Sequence, residues 1–383
     1  GDIINNSANA TGQTISMNLT LGGSSTGIVN TAAGNITISG GISGTGGLTK
    51  EGNRTLTLSA VNSYSGATTV NNGTLVISAQ ATTGSLVINS GATASAGLNT
   101  LNNFTSITIN GGTLTPTSFL RGFGGALTMT NGTISAGGDF AAGSYTLYGN
   151  NTIATTIQDR GANFNVVSGT TTVSGAITFL WGGNLTKNGT GTLTLSGANS
   201  YPGSGYSSST IMNAGTLNLN SATALGATNA TFTINGGTLD NTSAGAITLT
   251  NNNTQNWNGD FTFTGTRDLD MGSGNITMNA SRTITVSAGN FTTSGVISGT
   301  GYTLTKNGSG MLTINASNTI GAKTVNGGTL RIVAAGNVGG IGASNNTVNL
   351  NNGSTLQLGY TGGNNPNLAG GVVNIDSTGG ATI

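Results

Sequence analysis

The chain has no cysteine and no histidine in 383 residues. The first absence excludes disulfides, thiolate metal sites and cysteine nucleophiles. The second removes the commonest general base and the commonest transition-metal ligand. Charge is nearly as scarce: 10 Lys and Arg and 9 Asp and Glu make 5% of the residues, where an ordinary soluble protein has roughly 25%. A net charge of +1 with so few cations leaves no basic patch to neutralise phosphates or anionic lipid, so nucleic acid and lipid surfaces are excluded as partners. No apolar run reaches the roughly 18 residues that would cross a membrane. Proline occurs three times, which excludes collagen-like and proline-rich readings of the 67 glycines. The chain opens Gly1-Asp2-Ile3 without Met or a signal sequence, and so reads as a processed product or as the ordered part of a longer chain.

What is abundant is Gly, Thr, Asn and Ser, with Ile and Thr supplying most of the β-branched residues, a composition that favours short strands joined by tight turns over disorder. Three stretches repeat: GGLTKEGNRTLTLSAVNSYSG (46–66), GGNLTKNGTGTLTLSGANSYPG (182–203) and GYTLTKNGSGMLTINASNTIG (301–321). Their cores read K-x-G-x-x-x-L-T-[LI] from Lys50, Lys187 and Lys306, at spacings of 137 (187 − 50) and 119 (306 − 187). A shorter period lies inside: the glycine of N-x-G-T-L-like units falls at Gly73, Gly91, Gly112 and Gly132, then at Gly215 and Gly237, and at Gly328 and Gly353. A unit of about 20 residues is too short for a propeller blade and suits one coil of a β-solenoid. Runs such as Thr192-Leu193-Thr194-Leu195 alternate with period two, so Leu faces the lumen and Thr faces solvent. A stack of antiparallel hairpins would use the same Asn-Gly turns, but short strands and motifs recurring at equivalent phase favour a parallel solenoid. The expectation is an all-β chain, 1–383 as a single continuous solenoid of about 19 coils of about 20 residues, with essentially no helix. Its motif cores lie at 46–77, 182–219 and 301–332. Region 114–165, which holds Phe119, Phe123, Phe140, Tyr145 and Tyr148, and the SGYSS run at 204–208 read as insertions.

Residues 255–314, and the motif copies generally, resemble the autotransporter-associated β-strand repeat, also called the passenger-associated transport repeat. The resemblance extends over most of 28–359. Copy one has Arg54 where a second glycine is expected, and copy three has Ile320 where the motif has tyrosine. The resemblance implies a right-handed parallel β-helix on a secreted or surface-displayed bacterial protein, a stalk without enzymatic activity. Complete proteins of this kind carry a C-terminal membrane barrel, whereas residues 372–383 read as an ordinary strand and turn.

No catalytic, cofactor or metal site is expected. The acids Asp2, Glu51, Asp139, Asp159, Asp240, Asp260, Asp268, Asp270 and Asp376 are scattered. Asp268 and Asp270 alternate beside Arg267 and form the one candidate carboxylate pair for Ca²⁺ or glycoside hydrolysis; a surface Arg–Asp cluster is the simpler reading. The repeated lysine is expected to lay its stem on the coil surface, with its ammonium on turn carbonyls. Trp181 and Trp257 are expected to fill the lumen or cover a loop. Exposed strand edges, the lack of a capping helix or much charge at the ends, and terminal part-repeats that together come close to one long-repeat span suggest that copies of the chain stack head to tail into an extracellular fibre through Gly1, Asp2, Ile3, Ile4, Ala381, Thr382 and Ile383. Surface glycans are the other candidate partner. An ice-binding Thr-x-Thr array, built on pairs such as Thr55/Thr57 and Thr192/Thr194, ranks lower, because the triplet recurs only intermittently along the chain.

Overall fold

The computed structural model describes residues 2–5, 12–23, 26–79, 84–118, 120, 123–158, 161–179, 182–201, 206–316, 318–334, 347–351, 353–360 and 372–375. None of these is helical. Strands pair with strands one coil away, and among the described residues every strand ladder is parallel. This excludes the hairpin stack and makes the chain a parallel β-solenoid. It divides into two compact units, residues 1–181 and 182–383.

Among the described residues of the first unit one side of the coil carries nine strands, from Ile3–Ile4 and Thr26–Asn30 to Ala162–Val166. A second side also carries nine, from Gln13–Ile15 to Thr170–Val173. A third side is closed mainly by loops and short pairs such as Leu19–Leu21 with Ile42–Gly44. Alternation decides what is inside. On the second side Leu56, Leu75, Ala94, Leu114, Ile134, Ile153 and Val173 stack in register, each at most 1% exposed. Burying one such aliphatic side chain contributes about 1.5–3 kcal/mol, so the core is a set of columns along the stack. Both ladders run through the stretch 114–165, with Thr113–Pro116, Thr133–Ile134 and Asn151–Ile153 on the second side and Ala126–Thr130 and Ser144–Tyr148 on the first. Phe123, Phe140, Tyr145 and Phe164 are inside there, with successive ring centroids 6.0, 6.4 and 4.7 Å apart. Tyr148 is on the outside, and Phe119 lies outside the described residues.

In the second unit, counted over its described residues, all three sides have strands. The first carries six, from Leu185–Asn188 to Ile297–Ser298. The second carries nine, from Thr192–Leu195 to Val372–Ile375. The third carries six, from Ile247–Thr248 to Thr355–Tyr360. Trp257 fills the lumen at 0% exposure, its indole N–H donating to Gln255 Oε1 at 3.2 Å and its ring 5.4 Å from that of Phe261. Trp181 lies outside the described residues.

The coil count is lower than expected. The first sides carry nine and six strands, about 15 turns in place of about 19. Two things lower this count: the second unit uses more chain per turn, Lys187 stacking on Met212 and Val325 on Leu350, 25 residues on in each case, and after Ile297–Ser298 the described residues add no first-side strand while the second side runs on to Val372–Ile375.

The motifs also do not keep one phase. Lys187 belongs to the first side of its unit, whereas Lys306 belongs to the second. Stacking from Lys187 runs through Met212, Ile234, Trp257 and Met278 and reaches position 299 after five coils, beside which Gly299 packs on Met278. Lys306 is seven residues further on, one side round the coil.

Candidate functional site

The repeated motif is where the charged and polar residues of the chain converge. In L-T-K the leucine and the lysine are two apart, so a strand places both on the same face. Lys50, Lys187 and Lys306 therefore enter the lumen, with 0, 0 and 1% exposure. This corrects the expectation of a stem lying on the coil surface: the stem is inside, and the ammonium does meet turn carbonyls. Lys50 Nζ donates to the carbonyls of Glu51, Gly52 and Asn72 at 3.0, 2.6 and 2.8 Å. Lys187 Nζ repeats this with Asn188, Gly189 and Ala214 at 2.9, 2.8 and 3.0 Å. Lys306 Nζ does so with Asn307, Gly308 and Gly327 at 3.2, 2.8 and 2.9 Å. Two acceptors come from the lysine's own turn and one from the turn of the next coil, so each ammonium ties two coils together. The glycine two residues after each lysine has positive φ: 78° at Gly52, 74° at Gly189 and 82° at Gly308, a conformation glycine adopts without strain. Burial pushes all three ammonium groups down to about 8, with Glu51 partly opposing this at Lys50.

A tyrosine supports the same site. Tyr64 Oη lies 2.6 Å from Thr68 Oγ1, and Tyr201 Oη lies 2.5 Å from Thr210 Oγ1, all four residues being fully buried. Thr68, Thr210 and Lys323 hold the same position, stacked on Leu48, Leu185 and Leu304. Copy three thus replaces both members of the pair, with Ile320 for the tyrosine and Lys323 for the threonine, and both are buried. Burial pushes the Tyr64 hydroxyl up to about 12, opposed by its bond to Thr68, and lowers Lys323 to about 8.

The residue after each lysine starts a ladder of side-chain amides that sequence reasoning missed. Asn71 donates to Glu51 Oε1 at 2.5 Å, Asn89 to Asn71 at 2.7 Å and Asn110 to Asn89 at 3.3 Å. Asn213, Asn235 and Asn258 climb from Asn188 at 2.7, 2.7 and 3.3 Å. Asn326 and Asn351 climb from Asn307 at 2.9 and 3.0 Å. The signal was present as asparagines spaced by one coil, just before the turn glycines.

The candidate acids serve the backbone. Asp268 Oδ1 accepts from Asn290 N at 2.9 Å and Asp270 Oδ1 from Gly272 N at 2.8 Å. Burial raises the Asp270 carboxyl, and the Gly272 amide opposes this. Arg267 donates to the carbonyl of Thr266 at 3.0 Å. Asp240 accepts from Asn241 N, Thr266 N and Thr266 Oγ1, and Asp260 accepts from Thr283 N. Among the described residues no three acidic side chains converge as a metal-binding group. An open cleft of about 610 Å³ beside Arg331 and residues 355–359 has one cation and no carboxylate in its lining. Of the proposed end-to-end residues, Asp2, Ile3 and Ile4 are described, Ile3 and Ile4 pairing with Val29 and Asn30. Gly1, Ala381, Thr382 and Ile383 lie outside the described residues.

Comparison with known families matches three stretches, 48–77, 185–219 and 304–332, to the passenger-associated-transport-repeat. Each stretch begins at the leucine of the lysine strand and ends in the N-x-G-T-L strand, so the matched unit is the lysine cage together with the coil that closes it. No curated protein and no solved structure matches the chain.

Proposed function

We propose, for a chain that carries three passenger-associated transport repeats on a parallel β-solenoid, that it is a non-enzymatic structural stalk displayed on the outside of a bacterium. Repeats of this kind go with secreted or surface-exposed proteins. The observation that carries the reading is the lysine cage. The three motif lysines each spend their ammonium on three backbone carbonyls that join successive coils, and the described aspartates of the second unit cap backbone amides. Groups that would do chemistry are thus engaged in holding the stack. Protease shaving of intact cells that express the natural gene tests the placement. The expected result is release of fragments of this chain from unbroken cells; cleavage only after lysis would overturn it.

A finer form of the same reading is stacking of copies into a fibre. A parallel solenoid leaves unpaired backbone groups on any terminal strand, and a heterologous contact between such strands propagates openly. A net charge of +1 offers little repulsion against it. Electron microscopy of the purified chain over a concentration series is expected to show filaments that lengthen with concentration. Particles of one uniform size at every concentration would remove the fibre and leave the stalk.

A further inference from the structure

We propose that the outer face of the second side of the first unit binds the surface of ice. Intermittent Thr-x-Thr triplets argued against such an array in the sequence, but strand register changes the count. Thr55, Thr74, Thr93, Thr113, Thr133, Thr152 and Thr172 stack directly on one another over seven successive coils without an interruption. Two residues along the strand runs a second column, Thr37, Thr57, Val76, Ser95 and Thr115, which Ser135 joins through a 3.0 Å bond to Thr115 Oγ1. The result is a two-dimensional grid, about 4.8 Å between coils and about 6.6 Å along each strand. No acidic or basic residue stands in either column.

The hydroxyls of the first column are free. None of the seven has a hydrogen-bond partner among the described residues, and each side chain is partly exposed. The same residue types behave differently where the chain turns: the hydroxyls of Thr31, Ser59, Thr105 and Thr117 all return to backbone carbonyls. Each threonine on the face is held by a β-branched χ1 that has little freedom to lose. It presents one hydroxyl and one methyl at a fixed repeat. Liquid water has no such repeat and crystalline water does, so a rigid, uncharged row of seven free hydroxyls, flanked by a second column of mostly hydroxyl-bearing side chains, favours the crystal. Small-molecule and sugar sites are concave, with convergent polar groups and aromatic rings, and this face has neither.

The second unit supplies a contrast. Thr192, Thr216, Thr238, Thr262 and Thr285 also stack. The neighbouring column there is Thr194, Asn218 and Asp240, which is at most 7% exposed. Asn218 donates to Thr194 Oγ1 at 3.0 Å, and Asp240 is bonded to Thr266. That face has one exposed row and no grid, which places the ice contact on the first unit.

The test is thermal hysteresis and inhibition of ice recrystallisation by the purified chain. Thr113→Lys and Thr93→Lys place a charged side chain mid-grid. Thr108→Lys places the same charge on the first side, in the column Thr69, Val87, Thr108 and Thr128. Circular dichroism of each variant establishes that it is folded. The wild type is expected to shape ice and arrest recrystallisation. Either grid variant that folds should lose most of that effect, and Thr108→Lys should keep it. A folded wild type with no effect on ice overturns the proposal, as does a Thr108→Lys loss equal to that of the grid variants. Neither result bears on display at the cell surface, which shaving measures separately.

Discussion

At the scale of the residue, the motif lysine shows how far alternation can be trusted. Leu48-Thr49-Lys50 puts the lysine on the leucine side, and the lysine is inside. Its engagement with turn carbonyls was legible from the K-x-G spacing. Its burial was legible too, once the period was applied to a residue that is ordinarily outside. Lys187→Met keeps the stem and removes the donors, stranding three carbonyls between coils. Hydrogen bonds from a charged donor contribute about 1.5–3 kcal/mol, so a loss of about 2 kcal/mol is expected, read as a lower midpoint in urea. Tyr64→Phe leaves the wholly buried Thr68 hydroxyl without its 2.6 Å partner. A loss of about 1–2 kcal/mol is expected, measured in the same way. The Tyr–Thr pairing itself could not be read from spacing: the partner follows the tyrosine by four residues in copy one and by nine in copy two.

At the scale of the element, the turn after each lysine and the turn one coil later are made for each other. Gly215 has φ of 70°, and a Cβ there would lie 2.4 Å from the Gly189 carbonyl and 2.7 Å from Lys187 Nζ. Gly215→Ala therefore combines left-handed strain of about 1–2 kcal/mol with displacement of the ammonium. It is expected to cost more than Lys187→Met, with faster amide exchange at 213–216 as its local signature. The asparagine ladders were hidden for a different reason. A single Asn before a turn reads as turn chemistry, and only stacking turns it into a column. The slip of copy three was hidden likewise. Coils in the second unit range from 19 to 25 residues, so a spacing of 119 passes for whole coils until register is known.

At the scale of the whole molecule, parallel stacking makes contacts local to neighbouring coils, and length changes are judged by register. Removing residues 93–112 brings Thr113 to the place of Thr93, whose partner it is. The shortened chain is expected to fold with the same strand signal in far-ultraviolet circular dichroism. Removing Ala94 alone turns the rest of its strand over, and that chain is expected to lose cooperative unfolding. The four buried lysines set the pH response. Their ordinary value is 10.5 and the folded one about 8, so between these the unfolded chain holds more protons. Stability then rises with pH, and the melting temperature is expected to climb from pH 8 to pH 10. Above pH 10 the raised Tyr64 hydroxyl opposes this rise and flattens it, because the unfolded tyrosine ionises first. A melting temperature that falls between pH 8 and 10 would contradict the assigned direction.

The seven-residue offset between the second and third motifs has a consequence for how such a chain grows. Lengthening by complete coils would keep every copy pointing along one compass bearing. Here the third copy has been carried to the adjacent bearing, and its cage is intact, with Lys306 still gripping three carbonyls. The increment that the architecture accepts is therefore a single side, one strand with its turn. Within the second unit, anything borne on the outer corner of the motif at 187 looks in a different direction from its counterpart at 306. A rigid ligand that grips one copy cannot take the other in the same pose.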